Sequence, residues 1–135
     1  MKYLLDTNAC IGWLRMSQPA IVSRMKKESP SDLAICSVVV AELIFGAERS
    51  APAHQAKNRL RVSRLRAQFT SLAFDDFAAQ YYGVIRSLLT AAGNLIGPND
   101  LLIASIALAN RLILVTHNVS KFTRVPGLQI EDWQT

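Results

Sequence analysis

Three carboxylates stand apart from the other acids of this 135-residue chain, which has ten Asp and Glu residues in all. Asp6 closes the short apolar run Tyr3-Leu4-Leu5. Glu42 follows a second apolar run by about a turn of helix. Asp100 opens the most apolar helical stretch of the chain, which feeds a further strand. Strand C-terminal ends and helix N-termini are where an open parallel sheet gathers its ligand site. Several acids brought together without a matching base repel one another, raising a pKa or loosening the site. A hard divalent cation, Mg²⁺ or Mn²⁺, removes that repulsion and prefers carboxylate oxygens. With water in its open positions, such a cation orients or activates a nucleophile at a phosphodiester. Taken singly, each acid also has a structural reading. Asp6 could form a strand-end turn, and Glu42 and Asp100 could complement helix dipoles.

Thr116-His117-Asn118 directly follows another apolar run and faces Asp6 if the two strands are neighbours. Thr116 can hydrogen-bond a carboxylate or phosphate, and Asn118 offers a neutral amide. His117 is a candidate general base, set against the ordinary reading of an exposed loop histidine. The net charge is +5, and residues 49–74 contain no acid while holding Arg49, Lys57, Arg59, Arg61, Arg64 and Arg66. These basic residues are either a solvated helix face or a set of phosphate contacts that hold RNA without specifying its sequence. No aromatic residue is interleaved among them, so base stacking is not indicated there. Cys10 and Cys36 read as reduced core thiols. His54 and His117 have no paired spacing that would support a zinc site.

Positioning these groups falls to strands that alternate with helices from end to end. After the first strand, Asn8 is expected to cap a helix over residues 9–16, with Ile11, Trp13 and Leu14 as its apolar members. A helix opening on Pro19 buries Ile21, Val22 and Met25, and residues 33–37 form the second strand. A third helix over 38–49 carries Val40, Leu43, Ile44 and Ala47 on one stripe. After a break at 51–53, a basic helix over 55–69 buries Val62, Leu65 and Phe69. Residues 71–74 form the third strand. Asp75 or Asp76 caps a helix to residue 92 that buries Phe77, Tyr81, Val84, Ile85, Leu88 and Leu89, and Gly93 ends it. Asn99 caps the apolar helix 100–110. Strands follow at 112–115 and 128–131, with an irregular stretch between them. The pattern predicts one α/β domain over residues 1–135, a sandwich with a mainly parallel sheet.

Half of the residues are hydrophobic, an excess that points to a buried subunit or partner interface. The longest apolar stretch, 101–109, is too short for the roughly 20 residues a membrane span needs. Asp6 interrupts the opening apolar run, against a signal peptide, and a cytoplasmic protein is expected.

The segments Leu4-Leu5-Asp6-Thr7-Asn8, Val40-Ala41-Glu42-Leu43, Ile96-Gly97-Pro98-Asn99-Asp100 and Val115-Thr116-His117-Asn118 occur in order. Phe122, Val125-Pro126-Gly127 and the ending Ile130-Glu131-Asp132-Trp133 follow. Together they resemble the PIN domain, specifically the VapC-type toxins of bacterial toxin–antitoxin pairs, over essentially the whole chain. The resemblance implies a three-layer sandwich whose five-stranded sheet runs in the order 3-2-1-4-5. It also implies metal-dependent endoribonuclease activity on structured RNA such as transfer or ribosomal RNA. By motif, Asp6, Glu42 and Asp100 would bind one Mg²⁺ or Mn²⁺, and Asn118 would take a fourth position that is often acidic. Asn8 and Thr116 would be supporting polar residues. Lys57, Arg59, Arg61, Arg64 and Arg66 would contact RNA or the antitoxin. The implied partners are a small VapB-like antitoxin, a second copy in a homodimer, and operator DNA through the antitoxin alone. Two other readings stay open. A phosphatase could use Asp6 as nucleophile, although Asn8 stands where such enzymes usually carry a second acid. A binding module with a degenerate site is favoured only by Asn118.

Overall fold

The strand that leads into Asp6 lies at the centre of the sheet. In the computed structural model, which describes residues 1–134, β1 (Tyr3–Leu5) is buried along its whole length. It is flanked by β2 (Leu33–Cys36), with Tyr3 opposite Leu33, and by β4 (Ile113–Val115), with Leu5 opposite Val115. β3 (Thr70–Leu72) pairs with β2, and β5 (Ile130–Glu131) pairs with β4. All four pairings are parallel and the order is 3-2-1-4-5. The short runs Tyr-Leu-Leu, Leu-Ala-Ile-Cys and Ile-Leu-Val suit this arrangement, because central parallel strands are buried on both faces and need no polar alternation.

Helices fill the crossovers. α1 (Thr7–Leu14) and α2 (Pro19–Lys27) join β1 to β2, and α3 (Ser37–Arg49) and α4 (Pro52–Gln68) join β2 to β3. α5 (Asp76–Ala91) and α6 (Pro98–Ala109) lead to β4. The packing falls into two groups, α1 with α2, α3 and α4, and α5 with α6, linked where α3 meets α6. The chain therefore starts in the middle, winds outward to β3, and crosses back to the other side of β1. That reversal places a switch point between β1 and β4, where the strand C-termini open a crevice. α6 is buried through its middle, with Leu101 and five consecutive residues from Ile103 to Ala107 inside. Cys10 and Cys36 are buried free thiols. Among the described residues, no helix is long and apolar enough to cross a membrane.

Several local expectations are corrected. Asp6, not Asn8, caps α1, its Oδ1 accepting from the Ala9 N–H at 2.9 Å, so the helix begins at Thr7. Gly97 takes the cap position before α6 with Pro98 in the first turn, in place of the expected cap at Asn99. Pro52, expected to break the chain, opens α4. Both prolines exploit a fixed φ and a missing N–H that a first helical turn does not use. A short helix, α7 (Val119–Phe122), occupies part of the stretch expected to be irregular, pinned by a Phe122 with no exposed surface. On α5, Ala78, Ile85 and Leu89 are buried, but Phe77, Val84 and Leu88 are 54, 62 and 52 % exposed. Ile44 on α3 is likewise exposed, and Val39 is buried in its place. An apolar helix with two stripes shows its period equally well whichever stripe the neighbouring helices cover.

Candidate active site

Asp6 ends β1 and starts α1 at once. Its backbone N–H continues the β1–β4 ladder to the Val115 carbonyl at 3.1 Å, while its side chain caps the helix. The residue is only 5 % exposed. Burial pushes its carboxyl pKa up from the ordinary 3.8. The Ala9 N–H and the Thr116 hydroxyl favour the charged form, and the negative charges of Asp100 and Glu42 oppose it. Thr116 is itself buried, and its Oγ1 accepts from the Asn118 N–H at 3.0 Å. The hydroxyl thus ties the end of β4 to the carboxylate that ends β1.

Glu42 projects from the second turn of α3, half-buried, and its Oε1 accepts from Thr7 Oγ1 at 2.7 Å. Asp100, the third residue of α6, is also half-buried. Burial raises its pKa, the Lys121 ammonium lowers it, and Glu42 raises it again. Lys121 Nζ stands 4.0 Å from Asp100 Oδ2. The three acids that the sequence singled out therefore lie within electrostatic reach of one another, on three elements that the switch point brings together. Asn118 sits at the start of α7, its carbonyl accepting from the N–H groups of Lys121 and Phe122 at 3.2 Å each. Asn8 lies exposed on the first turn of α1. His117 Nδ1 pairs with Asp132 Oδ2 at 3.0 Å and is not bonded to any of the three acids.

With that geometry in place, comparison with known proteins is decisive. The PIN domain profile matches residues 3–128. The chain is 36 % identical to Ribonuclease VapC2 of Rickettsia felis, over 98 % of both sequences. It is 37 % identical, at the same coverage, to the tRNA(fMet)-specific endonuclease VapC of Salmonella typhimurium. The chain belongs to the PIN domain family, in its VapC group. The crystal structure of DNA-bound VapBC from Salmonella typhimurium superposes on this VapC-family chain with a TM-score of 0.91 at 35 % identity, covering 98 % of each.

Around the acids, the basic residues of α4 divide. Arg59 is held by Glu48 through two bonds of 2.7 Å, and Arg61 Nη1 donates to Asn58. Arg61 also lines a groove between α1, α3 and α4 that contains Glu42. Lys57, Arg64 and Arg66 are exposed, and none is among the charges acting on Asp6 or Asp100. Two neighbours of the acids escaped sequence reasoning, Thr7 and Lys121. Thr7 adjoins Asp6 in sequence, but its bond to a residue 35 positions away is a tertiary fact. Lys121 was hidden because α7 was not foreseen.

Proposed function

We propose that this VapC-family chain is a metal-dependent endoribonuclease, the toxin half of a toxin–antitoxin pair, and that it cuts structured RNA. The observation that carries this reading is the mutual electrostatic influence of Asp6, Glu42 and Asp100 at the β1–β4 switch point. The ribonuclease names of relatives matched over the full chain support the chemistry. The Salmonella relative, named for tRNA(fMet), supports a transfer RNA over ribosomal RNA as the first substrate to try.

The donor set fits a hard cation. It consists of carboxylate oxygens, and in Asp6 and Asp100 burial and neighbouring negative charge already disfavour the charged form, a cost that Mg²⁺ or Mn²⁺ would relieve. Among the described residues, no three acid, imidazole or thiol groups are already gathered at one coordination point. Asp6 and Asp100 would hold the ion, with Glu42 either joining them or orienting a water, and water filling the remaining positions. When bound, the cation supplies charge stabilisation to a phosphodiester undergoing hydrolysis and activates water. The protein groups do the positioning. Thr116 and the α1 N-terminus fix the Asp6 carboxylate, and Thr7 fixes that of Glu42. Lys121 offers a positive charge for a phosphate oxygen, and Lys57, Arg61, Arg64 and Arg66 hold the RNA backbone without reading its sequence. Thr7→Val keeps the shape of the side chain and removes the donor to Glu42. Single-turnover cleavage is expected to fall about tenfold, equivalent to roughly 1.4 kcal/mol of barrier, with an unchanged melting curve.

The antitoxin is assigned to the groove between α1, α3 and α4, whose apolar wall (Ile11, Leu14, Leu43, Val62) ends at Arg61 and Glu42. Operator DNA would then be met only through the antitoxin, and the solved Salmonella complex is itself described as DNA-bound. A second copy of the chain is assigned to the exposed Phe77, Val84 and Leu88 row of α5, which sedimentation of the purified chain tests. The decisive experiment is incubation of purified total RNA with the protein and Mg²⁺ or Mn²⁺. Cleavage should disappear in Asp100→Asn and in excess chelator. Cleavage that persists under either condition overturns the metal-dependent reading.

A further inference from the structure

A second concavity is lined by Asn8 and Asn118, which stand two residues past Asp6 and Thr116. It lies between α1, the turn into α2 and the segment after β4, and encloses about 250 Å³. Asn8, Gly12, Gln18, His117, Asn118 and Gln134 line most of it. Four of these carry side-chain amides and one an imidazole; none is an acid, a lysine or an arginine.

Two arrangements hold this wall in place. His117 Nδ1 is tied to Asp132 Oδ2 at 3.0 Å, and Asp132 Oδ1 accepts from the Gln134 N–H at 2.9 Å. The ring is thereby oriented with its Nε2 edge uncommitted to that pair. Gln18 lies flush against Gly12, where an added Cβ would stand 3.0 Å from Gln18 Cγ and 3.1 Å from its Cβ. A methyl group at position 12 would press Gln18 away by a few tenths of an ångström. The lining of the cleft is also tied to Asp6. Asn8 is two residues past Asp6, and Asn118 bonds through its N–H to Thr116, the partner of Asp6.

We propose that this cleft is a nucleobase subsite that takes one unpaired RNA base beside the cut phosphate. Gln18 and the neighbouring amides would bond the base edge, and His117 would meet its face or edge. This rests on the nuclease reading above and extends it to how the RNA is chosen. Amides carry a donor and an acceptor side by side, as base edges do. A phosphate would call for Arg or Lys, and a protein anchor for an aromatic or apolar pocket. The cleft is smaller than the roughly 300–1,000 Å³ of a drug-sized site, which suits one base. Sequence-specific RNA recognition works on such splayed single-stranded bases, stacked on aromatic or His rings. The basic residues of α4 contribute register without sequence, so base selection needs groups elsewhere.

The test compares wild type with Gln18→Ala, His117→Ala and Gly12→Ala on total RNA in Mn²⁺, with sequencing of the new 5′ ends. Wild type should show a base preference beside the cut. Each variant should lower the ratio of preferred to other bases, by about tenfold for Gln18→Ala, within what a side chain–base pair contributes. Metal-dependent cleavage and the melting curve should remain. His117→Phe, which keeps a ring, should retain more of the preference than His117→Ala. Wild-type preference in Gln18→Ala and His117→Ala overturns the proposal. So does a change in inhibition by the antitoxin with no change in preference, which would make the cleft a protein site. Binding of four labelled pentanucleotides differing at one base reads the subsite apart from cleavage. If wild type cuts no RNA, the nuclease reading fails, and discrimination among the four that is lost in Gln18→Ala keeps the subsite. Equal binding of all four by both proteins removes it.

Discussion

Asp6→Asn is expected to abolish RNA cleavage and, at the same time, to stabilise the cation-free protein at neutral pH. The two effects have one origin. Asp6 is a buried carboxylate whose charge is opposed by desolvation and by Asp100 and Glu42, so holding it ionised costs folding free energy that only a bound cation returns. Asn removes the charge and keeps the shape. As a helix cap it is about equal to Asp, so the bond from the Ala9 N–H survives. Thr116 Oγ1, already accepting from the Asn118 N–H, has a second lone pair for the new amide. A gain of about 1 kcal/mol corresponds to roughly 4 °C in melting midpoint for a chain of this length. Loss of a group that meets the reacting centre should lower the rate by about 10³-fold. Asp6→Ala makes the contrast. It relieves the same repulsion but forfeits the cap, which is worth about 1 kcal/mol, so little or no gain in midpoint should remain. Melting curves in chelator and single-turnover cleavage read both effects. A destabilised Asp6→Asn, or one that cuts RNA normally, sinks the view of Asp6 as a strained functional acid.

That tension is also why Asp6 was legible in the sequence. An acid at the end of a fully apolar strand contradicts its local pattern, and such contradictions mark functional positions. The alternation of short apolar runs with helical stretches likewise gave the α/β class, and the ordered motifs gave the strand order. What escaped was whatever depends on a neighbour remote in sequence. Thr7 looked like a turn residue until Glu42 was found opposite it. Phe77, Val84 and Leu88 share the helical period of Ile85 and Leu89, so periodicity could not say which side of α5 meets α6. Asn8 and Asn99 looked like caps because their residue type is right. In the folded chain Asp6 reaches the Ala9 N–H first, and α6 starts at Pro98, two residues earlier than a cap at Asn99 would allow. His117, weighed as a base, turned out to be paired with Asp132, a partner 15 residues on.

Mn²⁺ or Mg²⁺ is expected to raise the melting midpoint of the wild-type chain, to leave that of Asp6→Asn nearly unmoved, and to lose its effect as the solution is acidified. A ligand that binds only the folded state stabilises by about 2.7 kcal/mol at a hundred times its Kd, or roughly 10 °C here. The pH dependence follows from Asp6 and Asp100, both raised above the ordinary 3.8, in each case chiefly by burial. A carboxyl whose folded pKa exceeds its unfolded one binds more protons when folded. The contribution of these two groups to the stability of the cation-free chain therefore rises as pH falls through their folded values, and is least favourable at neutral pH. The cation needs the charged forms and competes with those protons. Its stabilisation is thus greatest at neutral pH and is lost through the same window. Melting midpoints followed from neutral pH down into the acid range, with and without Mn²⁺, should converge as the solution becomes more acidic. In Asp6→Asn, where the most buried of the acids no longer titrates, the gap should be small at every pH. A metal-induced shift that is equally large in Asp6→Asn would place the cation away from Asp6. A wild-type shift constant across the window would mean that neither Asp6 nor Asp100 gives up a proton to bind it.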